Sequence, residues 1–181
     1  MQKSRHTISR WVGDLLANPH YQNQFVHHQI IPAKSAIRQG YPAYLHPRLV
    51  ALLQKQGVAH LYSHQRRALG FLQAGKNVAV MTPTGSGKSL VYHLAELQEI
   101  LTNPAAHALY LFPLKALEQD QAQILNEMID AMGASGEIRV AVYDGDTPQD
   151  VRRKLLAKPP QMLISNPNML HLSFLPGHEG L

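Results

Sequence analysis

The chain contains no cysteine. That excludes a disulfide framework, Cys-ligated zinc, an iron–sulfur cluster and a thiol nucleophile within these 181 residues. A long apolar run is also missing. The longest uncharged stretch, Pro159 to His178, is broken by prolines, asparagines and histidines, whereas a bilayer span needs about 20 mostly apolar residues. Met1 to Arg10 is polar and basic, without the apolar segment of a secretory leader. Charge is sparse, and 17 basic against 12 acidic residues leave a net +5, a mild bias toward anionic partners. These absences predict a soluble, cytoplasmic protein that does not engage a membrane. What is present is apolar material, 45% of the chain, enough for a packed core and too much for a disordered tail.

The first 60 residues read as an accessory segment, and residues 61–181 as the main domain. Two short helical patterns, Ser9 to Ala17 and Pro47 to Lys55, flank a loop-rich span containing Pro19, Pro32, Gly40 and Pro42. Pro47 suits the first position of a helix and Gly57 its end. Trp11 is expected to pack the segment. From Ser63 the pattern becomes regular. Ser63 is a candidate cap for a helix running to about Ala74 and stopped by Gly75. Strands are predicted over Asn77–Thr82, His107–Phe112, Ile138–Tyr143 and Gln161–Ser165. Helices are predicted over about Lys88–Leu101, Lys115–Met132 and Pro148–Leu156. Strands alternating with helices imply an α/β fold, a parallel sheet with helices on both faces. Ligands of such sheets sit at the C-terminal strand ends.

The strongest chemical signal is Thr82-Pro83-Thr84-Gly85-Ser86-Gly87-Lys88-Ser89, placed between a predicted strand and a predicted helix. Gly85 and Gly87 lack Cβ atoms, so the backbone can curl and turn successive N–H groups inward. The helix N-terminus adds partial positive charge. Lys88 supplies a full charge for β- and γ-phosphates, and Ser89 is a ligand for Mg2+. Thr82 stands where the strict motif has glycine, and Thr84 and Ser86 line the loop. The cofactors implied are ATP and Mg2+.

A Thr-Pro-Thr-Gly-Ser-Gly-Lys-Ser loop resembles that of superfamily 2 DEAD/DEAH-box-like helicases, and other runs resemble the same family. Leu61-Tyr62-Ser63-His64-Gln65 is similar to its upstream glutamine motif, which implies that Gln65 reads the adenine edge; an amide can donate to and accept from adenine at once. Phe112-Pro113-Leu114-Lys115-Ala116-Leu117 resembles motif Ia, and Ser165-Asn166-Pro167-Asn168-Met169-Leu170 the later backbone-gripping motif. The resemblance therefore implies a nucleic-acid track through Pro113, Lys115, Ser165, Asn166 and Pro167. Together with Tyr143-Asp144-Gly145-Asp146-Thr147-Pro148, these runs are most similar to the mitomycin repair factor A family, helicases with a C-terminal cysteine-rich zinc region. Departures are Ala95, where proline is common, and Asn168, where aspartate is common.

The resemblance implies a RecA-like P-loop fold and ATP-driven translocation on DNA, linked to repair, with single-stranded DNA the expected partner. It also implies an Asp-Glu-x-His box, a second RecA-like domain and a zinc region, none of which these 181 residues contain. The chain is accordingly expected to be the front portion of a larger helicase that binds ATP weakly and turns over little by itself; its catalytic residues and oligomeric state are not legible. Two alternatives stand beside this reading. One is a non-catalytic nucleic-acid-binding module. The other is a small P-loop kinase using Asp144, at a predicted strand end, as its Walker B acid. Arg66-Arg67 and Arg152-Arg153-Lys154 are expected on solvated helix faces, and the histidines on the surface or in packing rather than on metal.

Overall fold

The structure, a computed structural model, describes residues 5–32 and 35–176. The chain divides into two compact units, residues 1–36 and 37–181. The smaller holds helix α1 (Arg5–Ala17) and a short 3-10 turn at Gln22–Gln24. Trp11, expected to pack this segment, is exposed.

The larger unit begins 24 residues before the expected boundary, because residues 37–60 contribute to its core and to a small sheet. Strand β1 (Arg38–Gln39) pairs antiparallel with β2 (Leu61–Tyr62). Helix α2 (Pro47–Lys55) lies between them. Pro47 occupies its first turn and the His46 ring accepts from the Arg48 N–H at 3.2 Å. Leu49, Leu52 and Leu53 recur at helical spacing, so one face of α2 is apolar and buried. Each fully buried leucine contributes about 1.5–3 kcal/mol.

Helices α3 (Ser63–Gln73), α4 (Lys88–Thr102) and α5 (Lys115–Ala131) match the predicted spans closely. Ser63 is the first helical residue of α3, not its cap; the Gln65 side chain accepts from the Tyr62 N–H at 2.9 Å in that place. The α4 stripe Leu94, Leu97 and Ile100 and the α5 stripe Leu125, Met128 and Ile129 share the core, and Val91 of α4 is buried against the cavity described below.

Strands β3 (Ala108–Leu111), β4 (Val140–Val142) and β5 (Met162–Ser165) form a parallel sheet in the order β3-β5-β4. Register runs Ala108 to Met162 and Val140 to Met162. The central strand β5 buries Met162, Ile164 and Ser165. Helix α6 (Gln149–Ala157) connects β4 to β5, and a three-residue turn α7 (Pro167–Met169) follows β5.

One predicted strand did not form. Residues 77–82 lie outside any sheet, and none of them is buried. A strand exists only through a neighbour's hydrogen bonds. Here Val78 and Val80 face a cavity of about 910 Å³ whose other wall includes Phe112 and Leu117. On β3, Leu109 and Leu111 are 50% and 40% exposed. Among the described residues β3 pairs with β5 alone.

Candidate nucleotide site and nucleic-acid face

The glycine-rich loop forms a tight turn into α4. Gly85 and Gly87 take φ of +77° and +73°, left-handed values that only glycine adopts without strain. At Gly87 a second constraint applies: a Cβ there would lie 2.6 Å from Gln65 Nε2. Gly87 caps α4 and brings no side-chain hydrogen bond. The first N–H groups of α4 therefore have no side-chain acceptor, the arrangement that favours an anion.

Side chains brace this turn from below. Gln65 is buried; its oxygen accepts from the Tyr62 N–H, and its Nε2 donates to the Gly87 carbonyl at 2.8 Å. The neighbouring His64 Nε2 lies 3.1 Å from the Ser86 carbonyl. Thr82 Oγ1 and Ser86 Oγ are 2.6 Å apart. Lys88 folds back, with Nζ donating to the carbonyls of Thr82 at 2.6 Å and Pro83 at 2.9 Å. No carboxylate pairs with it among the described residues. Its charge is thus presented at the loop and compensated only by neutral carbonyls. Ser89 hydrogen-bonds Tyr92, whose phenol burial pushes up and that bond partly draws back.

Thr84, Gly85, Gly87, Lys88 and Ser89 line the 910 Å³ cavity together. The structure thus gathers the residues that the motif named for phosphate and metal. Gln65 is positioned beneath the loop, with its amide partly spent on backbone groups. The His64 brace was not foreseen; its only sequence signal was adjacency to Gln65.

Beside the cavity lies a buried polar cluster. His93 Nε2 donates to Gln121 Oε1 at 3.0 Å, and the Tyr92 hydroxyl donates to the same oxygen at 3.1 Å. The His93 Nδ1 and Tyr110 hydroxyl are buried without partners. Burial drives the His93 pKa down to about 4, with the Gln121 contact opposing, so the ring is neutral. Burial also pushes up the Glu96 carboxyl, helped by the Glu99 charge.

The second face is made by the C-terminal ends of β3 and β5. These are adjacent and parallel, and Phe112 N–H donates to Ser165 O at 2.9 Å, so Pro113–Lys115 and Asn166–Pro167 emerge side by side. Pro113, Lys115 and Pro167 are exposed. Ser165 is not available as a contact: it is fully buried, and its hydroxyl donates to the Tyr143 carbonyl at 2.6 Å. As the last residue of the central strand it faces the sheet, a placement the motif alone did not convey. Lys115 Nζ lies 2.5 Å from Asp146 Oδ2, a pair that raises the lysine pKa, chiefly through this hydrogen bond.

Asp144 does not serve as a Walker B acid. Its Oδ1 accepts from the Asp146 N–H at 3.0 Å and the Thr147 hydroxyl at 2.9 Å, closing a turn after β4. Arg152 seals that turn by donating to the carbonyls of Thr147, Asp144 and Gly145, and lies over the Tyr143 ring. β4 is separated from β3 by β5, on the side of the sheet away from the cavity. The kinase alternative loses its acid, and the expected solvated face at Arg152 is an internal clasp. No cluster of three histidine or acidic residues able to hold a metal occurs among the described residues.

Residues 62–179 match the model of the DEAD/DEAH box helicase family. The chain belongs to that family. The DEAD/DEAH box chain is 40% identical over 174 residues to the Bacillus subtilis protein described as uncharacterized ATP-dependent helicase YprA, covering 96% of this chain and 22% of the relative. It is 35% identical over 174 residues to the Saccharomyces cerevisiae ATP-dependent helicase HRQ1, covering 95% of this chain and 16% of the relative. Among solved structures it is similar to the DUF1998 helicase MrfA bound to DNA and AMPPNP, with TM-score 0.83 and 41% identity over 94% of this chain and 23% of that one. It also resembles the Mycobacterium smegmatis helicase Lhr bound to ssDNA and AMP-PNP, with TM-score 0.63 and 29% identity over 71% of this chain and 18% of that one. The fold is the RecA-like fold of helicases. The chain spans about a fifth of the length of the relatives it matches.

Proposed function

We propose that residues 37–181 form the ATP- and DNA-binding part of an ATP-driven DNA helicase acting in DNA repair. The observation that carries this reading is the uncapped N-terminus of α4 beneath two left-handed glycines, with Lys88 held there by neutral carbonyls alone. Thr82, Thr84 and Ser86 shape the loop, and the N–H groups of Gly85 to Ser89 would hold the phosphates. Lys88 would pair with the β- and γ-phosphates and Ser89 would hold Mg2+. ATP with its metal supplies the phosphoryl chemistry; the residues present bind and orient it. Gln65 would serve the adenine with the N–H and lone pair that its backbone contacts leave free.

Pro113, Lys115, Asn166 and Pro167 would grip the DNA backbone, preferentially single-stranded, with Ser165 bracing them from beneath. Asp146 competes with DNA phosphate for Lys115 in this proposal. The DNA in the MrfA structures and the ssDNA and AMP-PNP in the Lhr structure support these assignments. No helix among the described residues is long and apolar enough to cross a membrane, and a cytoplasmic setting suits a chain without cysteine.

Lys88→Ala tests the nucleotide half. A charged phosphate contact is worth about 1.5–3 kcal/mol, so affinity for an ATP analogue should fall roughly 10- to 150-fold while DNA binding persists. Unchanged nucleotide affinity would refute the assignment. A parent chain that binds DNA but no nucleotide would favour the non-catalytic module.

A further inference from the structure

Glu118 is a fully buried carboxylate that no part of the nucleotide site uses. It lies in the first turn of α5, three residues after Lys115. Its Oε1 accepts a hydrogen bond from Asn166 Nδ2 at 3.0 Å, and its Oε2 has no partner. Asn166 in turn accepts the Met169 N–H at 2.9 Å through its own Oδ1, which starts the turn α7. Both ends of the Asn166 amide are thereby engaged, and its orientation is defined.

Burying a carboxylate with one oxygen unsatisfied is costly. The first-turn position in α5 offsets part of that cost, because the uncompensated N–H groups there favour negative charge. An apolar residue would fill the space without any of this penalty. The geometry therefore calls for a use of the acceptor, and its side-chain hydrogen bond joins the first turn of α5, which the loop after β3 enters, to the loop after β5.

Resting on the DNA-binding reading above, we infer that Glu118 is a positioning residue: through Asn166 it fixes the spacing of the Pro113–Lys115 and Asn166–Pro167 loops so that both meet the same DNA backbone. Glu118 touches no phosphate itself. The link needs an acceptor at position 118 and a donor at 166, not a net charge.

The test is fluorescence anisotropy of a labelled single-stranded oligonucleotide, titrated with the chain across a series of salt concentrations. Glu118→Ala should weaken binding by about 10-fold, the scale of one lost hydrogen bond to a charged group. The log–log salt slope should stay that of the parent, because no phosphate contact is removed. Affinity for an ATP analogue should not change. Glu118→Gln keeps the acceptor and should bind DNA as the parent does. Asn166→Asp, which sets two carboxylates face to face, should lose affinity. Glu118→Gln combined with Asn166→Asp rebuilds the bond with its polarity reversed and should bind DNA more tightly than Asn166→Asp alone, while staying below the parent because the added charge faces the DNA backbone, and this pair decides the matter if Glu118→Ala does not fold. Parent-like DNA binding by Glu118→Ala, equal weakening by the Gln and Ala variants, or no recovery in the combined variant would each overturn the inference. If the parent binds no DNA at all, the DNA reading itself fails and the inference falls with it; if the parent binds and the pair is inert, only the inference fails.

Discussion

Acid should destabilise this fold through His93. The ring is 2% exposed, packed against Tyr92 and Tyr110, and its one hydrogen bond runs to Gln121. In the unfolded chain a histidine titrates near 6.5, whereas in the fold the same ring titrates at about 4. Between those values the unfolded chain binds a proton that the native state refuses. The stabilising contribution is therefore complete above pH 6.5 and is lost progressively as pH falls toward 4. Each pH unit in that window is worth about 1.4 kcal/mol, so the full loss is about 3 kcal/mol, with about 2 kcal/mol of it gone by about pH 5. Glu96 acts in the opposite direction, because its raised pKa lets the native state take up a proton first. The His93 share must be read by difference. Urea unfolding of the parent and of His93→Gln at about pH 7.5 and pH 5 gives it directly. The parent should lose roughly 2 kcal/mol more than the variant over that interval. Equal losses would show that the ring is not held neutral by burial.

Gly87→Ala should cost about 1–2 kcal/mol for the left-handed backbone alone, and further stability because the new methyl meets the Gln65 amide; a parent-like urea midpoint would contradict the loop geometry. Asp146→Asn should strengthen single-stranded DNA binding by freeing Lys115, whereas Lys115→Ala should weaken it and make the log–log salt slope shallower by about one; an unchanged slope in the lysine variant would remove Lys115 from the track. Phosphate release by this chain with ATP and single-stranded DNA should stay far below about 1 s⁻¹, the low end for competent phosphoryl-transfer enzymes, since Asp144 is locked in a turn and, among the described residues, Glu96 is the only acid lining the cavity. A malachite-green assay reads this, and turnover at that rate would contradict it.

The helices were readable because their signals are local. Pro47, Gly57 and the Leu49-Leu52-Leu53 spacing define α2 without reference to anything distant. The glycine loop was readable for the same reason, since two left-handed residues and a helix start leave a fixed residue pattern. Properties that depend on neighbours were not readable. Val78-Ala79-Val80-Met81 has strand composition, yet no ladder forms without a strand beside it. Ser165 and Asn166 are adjacent in the gripping motif, but the pleat of β5 buries the serine and leaves the asparagine to bond across to α5. Asp144 ends a strand as a Walker B acid would, and only the sheet order and the Asp146 and Thr147 contacts show it turned into its own loop. The Lys115–Asp146 and Glu118–Asn166 contacts join residues 31 and 48 positions apart, beyond the reach of any local pattern.

The most direct test of the account is calorimetric titration of the chain with a non-hydrolysable ATP analogue in the presence of Mg2+. Saturable binding that weakens roughly 10- to 150-fold in Lys88→Ala is the predicted result. A flat titration up to millimolar analogue, with the chain folded, would mean that the turn from Gly85 to Ser89 holds no triphosphate.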